Sequence, residues 1–184
     1  MTGKVFFGID YSISCPAMCI HEGDNWSYDN CHFYYLTSRK KSLINCGNIT
    51  SELHKSFSSN EERFDQIADF FISQIDYCCR VLIEAYSFGS IGQVFNIAEC
   101  TGILKHKLYL KNCKIETLPP TSLKKYASDR GNATKLFMHS AFQKETNKDF
   151  SKLVNCEPGD SPACDCIDAY YLCRYSFDKH INEL

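Results

Sequence analysis

The chain has 184 residues, 44% hydrophobic and 23% charged, which allows one domain with a proper core and leaves too little for two. No apolar run approaches the roughly 20 residues that cross a bilayer, and the twelve cysteines are spread along the whole chain instead of forming the dense framework of a small secreted scaffold. The net charge of −2 hides an uneven distribution: residues 101–152 carry +7 and the remainder −9, a basic segment beside an acidic one, as a protein needs to hold phosphates near carboxylates.

Taken in chain order, Val5–Asp10 (VFFGID) reads as a short buried strand ending in an acid. The opening Met1–Lys4 lacks the charged lead and apolar stretch of a secretory signal, so the expectation is a cytoplasmic, non-secreted protein with reduced cysteines packed as small hydrophobes. A second strand fits Ala17–His21, after the turn at Ser14-Cys15-Pro16, and a third fits the aromatic-rich Cys31–Thr37. Residues 38–59 are polar, without clear periodicity, and contain Arg39-Lys40-Lys41; they read as a long surface loop or a marginal helix, of a length that is usually functional.

The pattern then turns helical. Ser59 stands three residues before Glu62 as in a capping box, and Phe64, Ile67, Ala68, Phe71 and Ile75 recur every three to four residues. Arg80–Glu84 (RVLIE) is another buried strand ending in an acid. Ile91–Leu110 reads as a helix with Ile91, Val94, Phe95, Ala98 and Leu108 inward. Lys114–Leu118 is the fifth strand, closed by Pro119-Pro120, and two further helices fit Ala133–Lys144 and Cys164–Phe177. Three strands in succession, followed by alternating helices and strands, imply an α/β domain over residues 1–184: a mixed five-stranded sheet flanked by helices.

The chemistry lies in the acids. Asp10 and Glu84 both close buried strands, and Asp165 and Asp168 are three apart at the start of the last helix, where they share a face. Four carboxylates brought together without a cation repel one another and resist ionisation; a divalent metal relieves this, and magnesium, a hard ion that prefers carboxylate oxygen, suits the set. Taken singly, each acid has a plainer explanation: an Asp after a strand often starts a turn, and an Asp pair near a helix N-terminus often serves capping and the helix dipole. Their joint occurrence carries the weight. No Cys pair has the C-x2-C spacing of zinc ligands, and the six histidines show no ligand spacing.

Gly8-Ile9-Asp10, Leu82-Ile83-Glu84 and Asp165-Cys166-Ile167-Asp168-Ala169 resemble the acidic motifs of the RuvC-type Holliday junction resolvases. Pro120-Thr121-Ser122-Leu123-Lys124, followed by Gly131, Ala133 and Lys135, resembles that family's P-x-x-V-K…G-x-A-x-K stretch, and the likeness runs from about residue 4 to residue 175. The resemblance implies a ribonuclease-H-like fold, a homodimer, magnesium with manganese as a substitute, and symmetric nicking of four-way DNA junctions. It makes Asp10, Glu84, Asp165 and Asp168 the catalytic metal ligands and Lys124 and Lys135 the lysines near the cut.

Further DNA contacts implied are Arg39, Lys40, Lys41, Lys125 and Arg130, with Tyr86 or Phe88 as the aromatic that enters the junction. The sequence departs from the family in three places: Tyr11-Ser12 follows the first Asp where Pro-Gly is usual, Asp129 replaces the first glycine of G-x-G, and segment 38–59 is larger. The same core also fits a nuclease for flaps, forks or Y-junctions, or a non-catalytic junction-binding module. Gly8-Ile9-Asp10-Tyr11-Ser12 further resembles the phosphate loop of sugar kinases and actin-like ATPases, but no second lobe or later glycine-rich loop accompanies it.

Overall fold

In β1 (Val5–Asp10) the side chains alternate between two apolar layers, and the rest of the molecule is arranged around that division. The computed structural model describes residues 4–75, 80–86 and 94–181. Strands β2 (Ala17–Glu22) and β3 (Cys31–Thr37) continue from β1 as an antiparallel meander, while β5 (Arg80–Glu84) and β6 (Lys114–Leu118) lie parallel on its other side. With β4 (Ile49–Leu53) added parallel to β3, the sheet order is β4-β3-β2-β1-β5-β6.

One face packs on α1 (Asn60–Ile72) and α2 (Val94–Leu110): Phe7, Ile9, Met18, Val81 and Ile83 meet Phe64, Ile67, Phe71, Leu104 and Leu108. The other face packs on α6 (Ala163–His180), where Phe6, Ala17, Cys19, Phe33 and Leu82 meet Ala169, Tyr170, Leu172, Cys173 and Phe177. Each large apolar side chain fully buried in this way stabilises the fold by roughly 1.5–3 kcal/mol. Gly8 is required where α6 crosses β1: a Cβ there would collide with the backbone of Cys173 and Ala169. This close approach fixes α6 directly over the strand that ends in Asp10.

The sheet has six strands, not the five expected. The additional strand, β4, comes from the 38–59 segment, which also holds a single 3-10 turn at Lys40–Ser42. Its inward position Ser51 is fully buried but polar, and its hydroxyl accepts from Ile44 N at 2.7 Å and donates to Ile44 O at 2.8 Å. A hydrogen-bonded serine standing where a hydrophobe would normally sit removed the alternation that marks a strand.

In α2 the buried residues are Cys100, Thr101, Leu104 and Leu108, whereas Phe95, expected inward, is 78% exposed; Ile91 lies outside the described residues. Pro119-Pro120 does not merely close β6. Pro119 caps and Pro120 opens an unexpected helix α3 (Pro120–Ser128), since proline suits the first helical turn. Asp129 ends α3 in the left-handed conformation, φ 60°, which Asp tolerates better than most residues. Helix α4 (Lys135–Thr146) and the short α5 (Phe150–Leu153) complete the chain before α6.

Candidate active site

The strand register sets the first two acids side by side. β1 and β5 run parallel with Ile9 opposite Ile83, so Asp10 and Glu84 come next on their strands at the same level. Both share the facing of Gly8 and Leu82, toward α6. That helix runs back along β1: the Phe177 ring lies 5.1 Å from Phe6, Cys173 and Ala169 abut Gly8, and the N-terminal turns reach the end of the strand.

 From Cys173 to Asp168 and Asp165 is about 8–12 Å of helix, comparable with the roughly 7 Å from Gly8 to Asp10. Thus all four predicted acids converge on one end of the β1–β5 pair.

Their electrostatics reflect that convergence. Asp10 and Asp165 are 9% and 8% exposed. Burial pushes the Asp10 carboxyl well above the ordinary range, and the charges of Asp165, Glu84 and Asp168 push it further. Burial likewise raises Asp168, with Glu84 and Asp165 adding to it and Lys135 and Lys124 opposing. Glu84 is raised to about 7 by burial, against the pull of Lys124. Asp165 is also raised by burial, although hydrogen bonds from Ser161 and Cys15 and the charge of Lys135 work against it.

The two predicted lysines flank these acids from α3 and α4. Lys135 donates to Cys164 Sγ at 3.3 Å; burial works to lower its pKa, but Cys164, Asp165 and Asp168 carry it upward. On the α1–α2 side of Asp10 and Glu84 a cleft of about 470 Å³ opens, lined also by Tyr86, Arg63, Asn96 and Thr101. The acids of α6 approach from the opposite side.

The donor set fits a hard divalent cation. Four carboxylates stand against two lysines, and Asp165 Oδ2 is buried with no hydrogen-bond partner, so its lone pairs stay unsatisfied within the chain. Among the described residues no three Asp, Glu, His or Cys side chains stand close enough together, as placed, to hold a metal ion.

The other predicted contacts are more dispersed. Lys125 and Arg130 are exposed on α3 and the turn after it, and the Arg130 guanidinium lies 5.1 Å from the Phe137 ring centroid. Tyr86 lines the cleft with Lys105 Nζ 5.1 Å from its ring; Phe88 lies outside the described residues. Lys40 and Lys41 are exposed. Arg39 is engaged inside the chain, donating to Ser161 O at 3.1 Å and lying 4.0 Å from Asp160.

Sequence reasoning missed Cys15, Ser161 and Cys164 as site residues: it placed Cys15 in a turn and Cys164 at the start of a helix and gave Ser161 no role, although all three act on the Asp165 carboxyl. Only the adjacency of Cys164 to Asp165 could have drawn attention to them. The described cysteines are free, and most are buried.

No family model and no curated protein sequence matches this chain. Solved structures do. The Thermus thermophilus RuvC structure is 13% identical, covers 95% of each chain and has a TM-score of 0.58. T. thermophilus RuvC in complex with a Holliday junction substrate is 12% identical, with 96% of this chain and 95% of that chain covered and a TM-score of 0.59. The fold is that of the RuvC-type resolvases. The yeast mitochondrial Holliday junction resolvase Ydc2 is similar over 96% of this chain and 81% of its own, at 14% identity and a TM-score of 0.52. Among the described residues no helix is long and apolar enough to cross a membrane.

Proposed function

We propose that this chain is a magnesium-dependent endodeoxyribonuclease that resolves four-way DNA junctions by paired, symmetric nicks. The observation that carries this reading is the in-register placement of Asp10 and Glu84 on parallel strands beneath Asp165 and Asp168. The RuvC fold, seen elsewhere on a Holliday junction substrate, supports the choice of DNA.

Asp10, Glu84, Asp165 and Asp168 hold the ion, magnesium by preference with manganese as a substitute. Bound there, a divalent cation supplies charge stabilisation to the scissile phosphate and lowers the pKa of the attacking water. Lys124 and Lys135 neutralise phosphate oxygens beside the cut and hold the strand in place. Lys125, Arg130, Lys40 and Lys41 extend the basic contact, which counterion release makes sensitive to salt. Tyr86 at the cleft is the described aromatic available to the branch point.

Symmetric cutting requires two sites facing opposite strands, hence a twofold dimer. Helix α2 supports that reading, because Phe95 near its start and Tyr109 and Leu110 at its end are 78%, 71% and 65% exposed, apolar surface that suits an interface.

The decisive experiment is cleavage of an end-labelled synthetic four-way junction by purified protein, with flap, fork and Y-junction DNA in parallel. The expected result is magnesium-dependent nicks at symmetric positions in the four-way substrate. Faster cutting of flaps or forks would assign the same chemistry to another branched substrate. Junction binding without cleavage in magnesium or manganese would leave only a binding module.

A further inference from the structure

The 38–59 segment touches both loops that flank the acidic site. At its start, Arg39 donates to the carbonyl of Ser161 at 3.1 Å and lies beside Asp160. Two residues on, the carbonyl of Lys41 accepts from Asn155 Nδ2 at 3.1 Å, and Tyr35 donates to the carbonyl of Ser42 at 2.5 Å. At its other end, His54 Nε2 lies 2.9 Å from the carbonyl of Ser14, in the loop that follows Asp10. Between the two ends β4 is paired with β3 from Ile49 to Leu53; His54 follows directly on β4, and Arg39 caps the 3-10 turn two residues after β3.

Both gripped loops lead to the same carboxylate. Ser161 Oγ lies 3.7 Å from Cys164 Sγ, beside Asp165, and the neighbouring Asp160 carbonyl accepts from Cys164 N at 3.0 Å in the first turn of α6. Cys15, one residue from Ser14, acts with Ser161 to hold the Asp165 carboxyl down against the rise that burial causes. The Cys15 backbone is itself fixed, donating to Ser12 Oγ at 3.1 Å. Held from these two sides, Asp165 keeps Oδ2 buried and without a partner.

We propose that the 38–59 segment is a brace for the metal site, with Arg39 and His54 as positioning residues that act on Asp165 through Ser161 and Cys15. This rests on the metal-dependent reading above. It also gives Arg39 a different role from the phosphate contact that its basic neighbours suggest. Groups that orient a ligand without touching the ion commonly change metal affinity about 10- to 100-fold when removed.

The test uses the full chain without DNA, measuring manganese binding by titration calorimetry for wild type, Arg39→Ala, His54→Ala and the double variant. Junction affinity is measured separately in calcium at two salt concentrations. The brace predicts manganese binding weakened about 10-fold in each single variant and further in the double, with junction affinity and its salt dependence unchanged. Arg39→Lys and His54→Gln, which keep a donor, should recover much of the loss; this separates positioning from a general loosening of the fold.

Unchanged manganese affinity in both single variants would overturn the proposal. So would a salt slope for Arg39→Ala reduced by about one unit, the mark of a lost phosphate contact. If the wild-type protein binds no divalent ion, the metal-dependent reading itself fails, a result distinct from either of these.

Discussion

Two clusters of charged side chains lie at opposite ends of α6, and they treat carboxylates in opposite ways. At the C-terminal end a single acid, Glu116 on β6, is ringed by Arg80, Lys179 and His180, with Lys179 Nζ at 2.8 Å and His180 Nε2 at 3.2 Å. Burial works upward on Glu116, yet hydrogen bonds from Lys179, Arg80 and His180 bring its pKa down to about 2. At the N-terminal end four acids share a space with two lysines, and all four carboxyls are raised. The first cluster is balanced by the chain itself and serves the fold. The second is short of positive charge, which is the charge that the proposed divalent cation would supply.

The sharpest way to break this contrast is to remove one acid from each cluster. In the cleft, Asp10→Asn or Glu84→Gln should cut junction nicking by at least about 10³-fold, because a metal site contributes several kcal/mol to the transition state, while binding to the junction persists. A variant that nicks at the wild-type rate removes its acid from the catalytic set. At the other end, Glu116→Gln should leave nicking per folded molecule intact but lower unfolding free energy by about 3 kcal/mol, since half-buried cations lose their counter-charge. Urea denaturation of the two variants side by side reads the difference.

Stability against pH tests the same contrast with a smaller effect. Without metal, Glu84 keeps its proton in the folded state up to about pH 7 but loses it near 4.5 when unfolded. The unfolded state therefore binds fewer protons between those values, and stability falls as pH rises through that window, then levels off. Glu84→Gln removes this penalty. In a chelating buffer the variant should be more stable than wild type at pH 8 by about 1–3 kcal/mol, and the gap should close by pH 4. Magnesium should then stabilise the wild type more than the variant. A wild type as stable as Glu84→Gln at pH 8 would mean that the acids are not in conflict.

Much of this was legible in the sequence, for reasons that differ from residue to residue. Strands ending in Asp10 and Glu84 are buried on both faces, so their apolar runs were unambiguous, and parallel pairing then aligns the acids without further information. Asp165 and Asp168 follow from helical spacing alone. The sixth strand was hidden because Ser51 is buried through hydrogen bonds and not through hydrophobicity. Helix α3 was hidden because a Pro-Pro pair reads equally as a strand terminator and as a helix start. Phe95 was misplaced since an aromatic at helical spacing is normally core, and a residue kept for the surface carries no separate local signal. The grip of Arg39 and His54 on distant carbonyls depends on side chain to backbone contacts across the fold, which no spacing rule encodes.

The finest test separates two adjacent lysines on α3. Lys124 is half-buried and pulls down the carboxyls of Glu84 and Asp168, so it belongs to the incomplete compensation of the four acids. Lys125 is exposed. Removing Lys125 should weaken junction binding modestly and reduce the slope of log affinity against log salt by about 0.9, with the nicking rate of bound junction unchanged. Removing Lys124 deprives Glu84 of its largest favourable charge, so the Glu84 pKa rises and the pH midpoint of nicking moves to higher pH, an effect that salt does not imitate. Equal pH profiles for the two variants would mean that the four acids draw no compensation from Lys124, leaving Lys135 as their one described lysine partner.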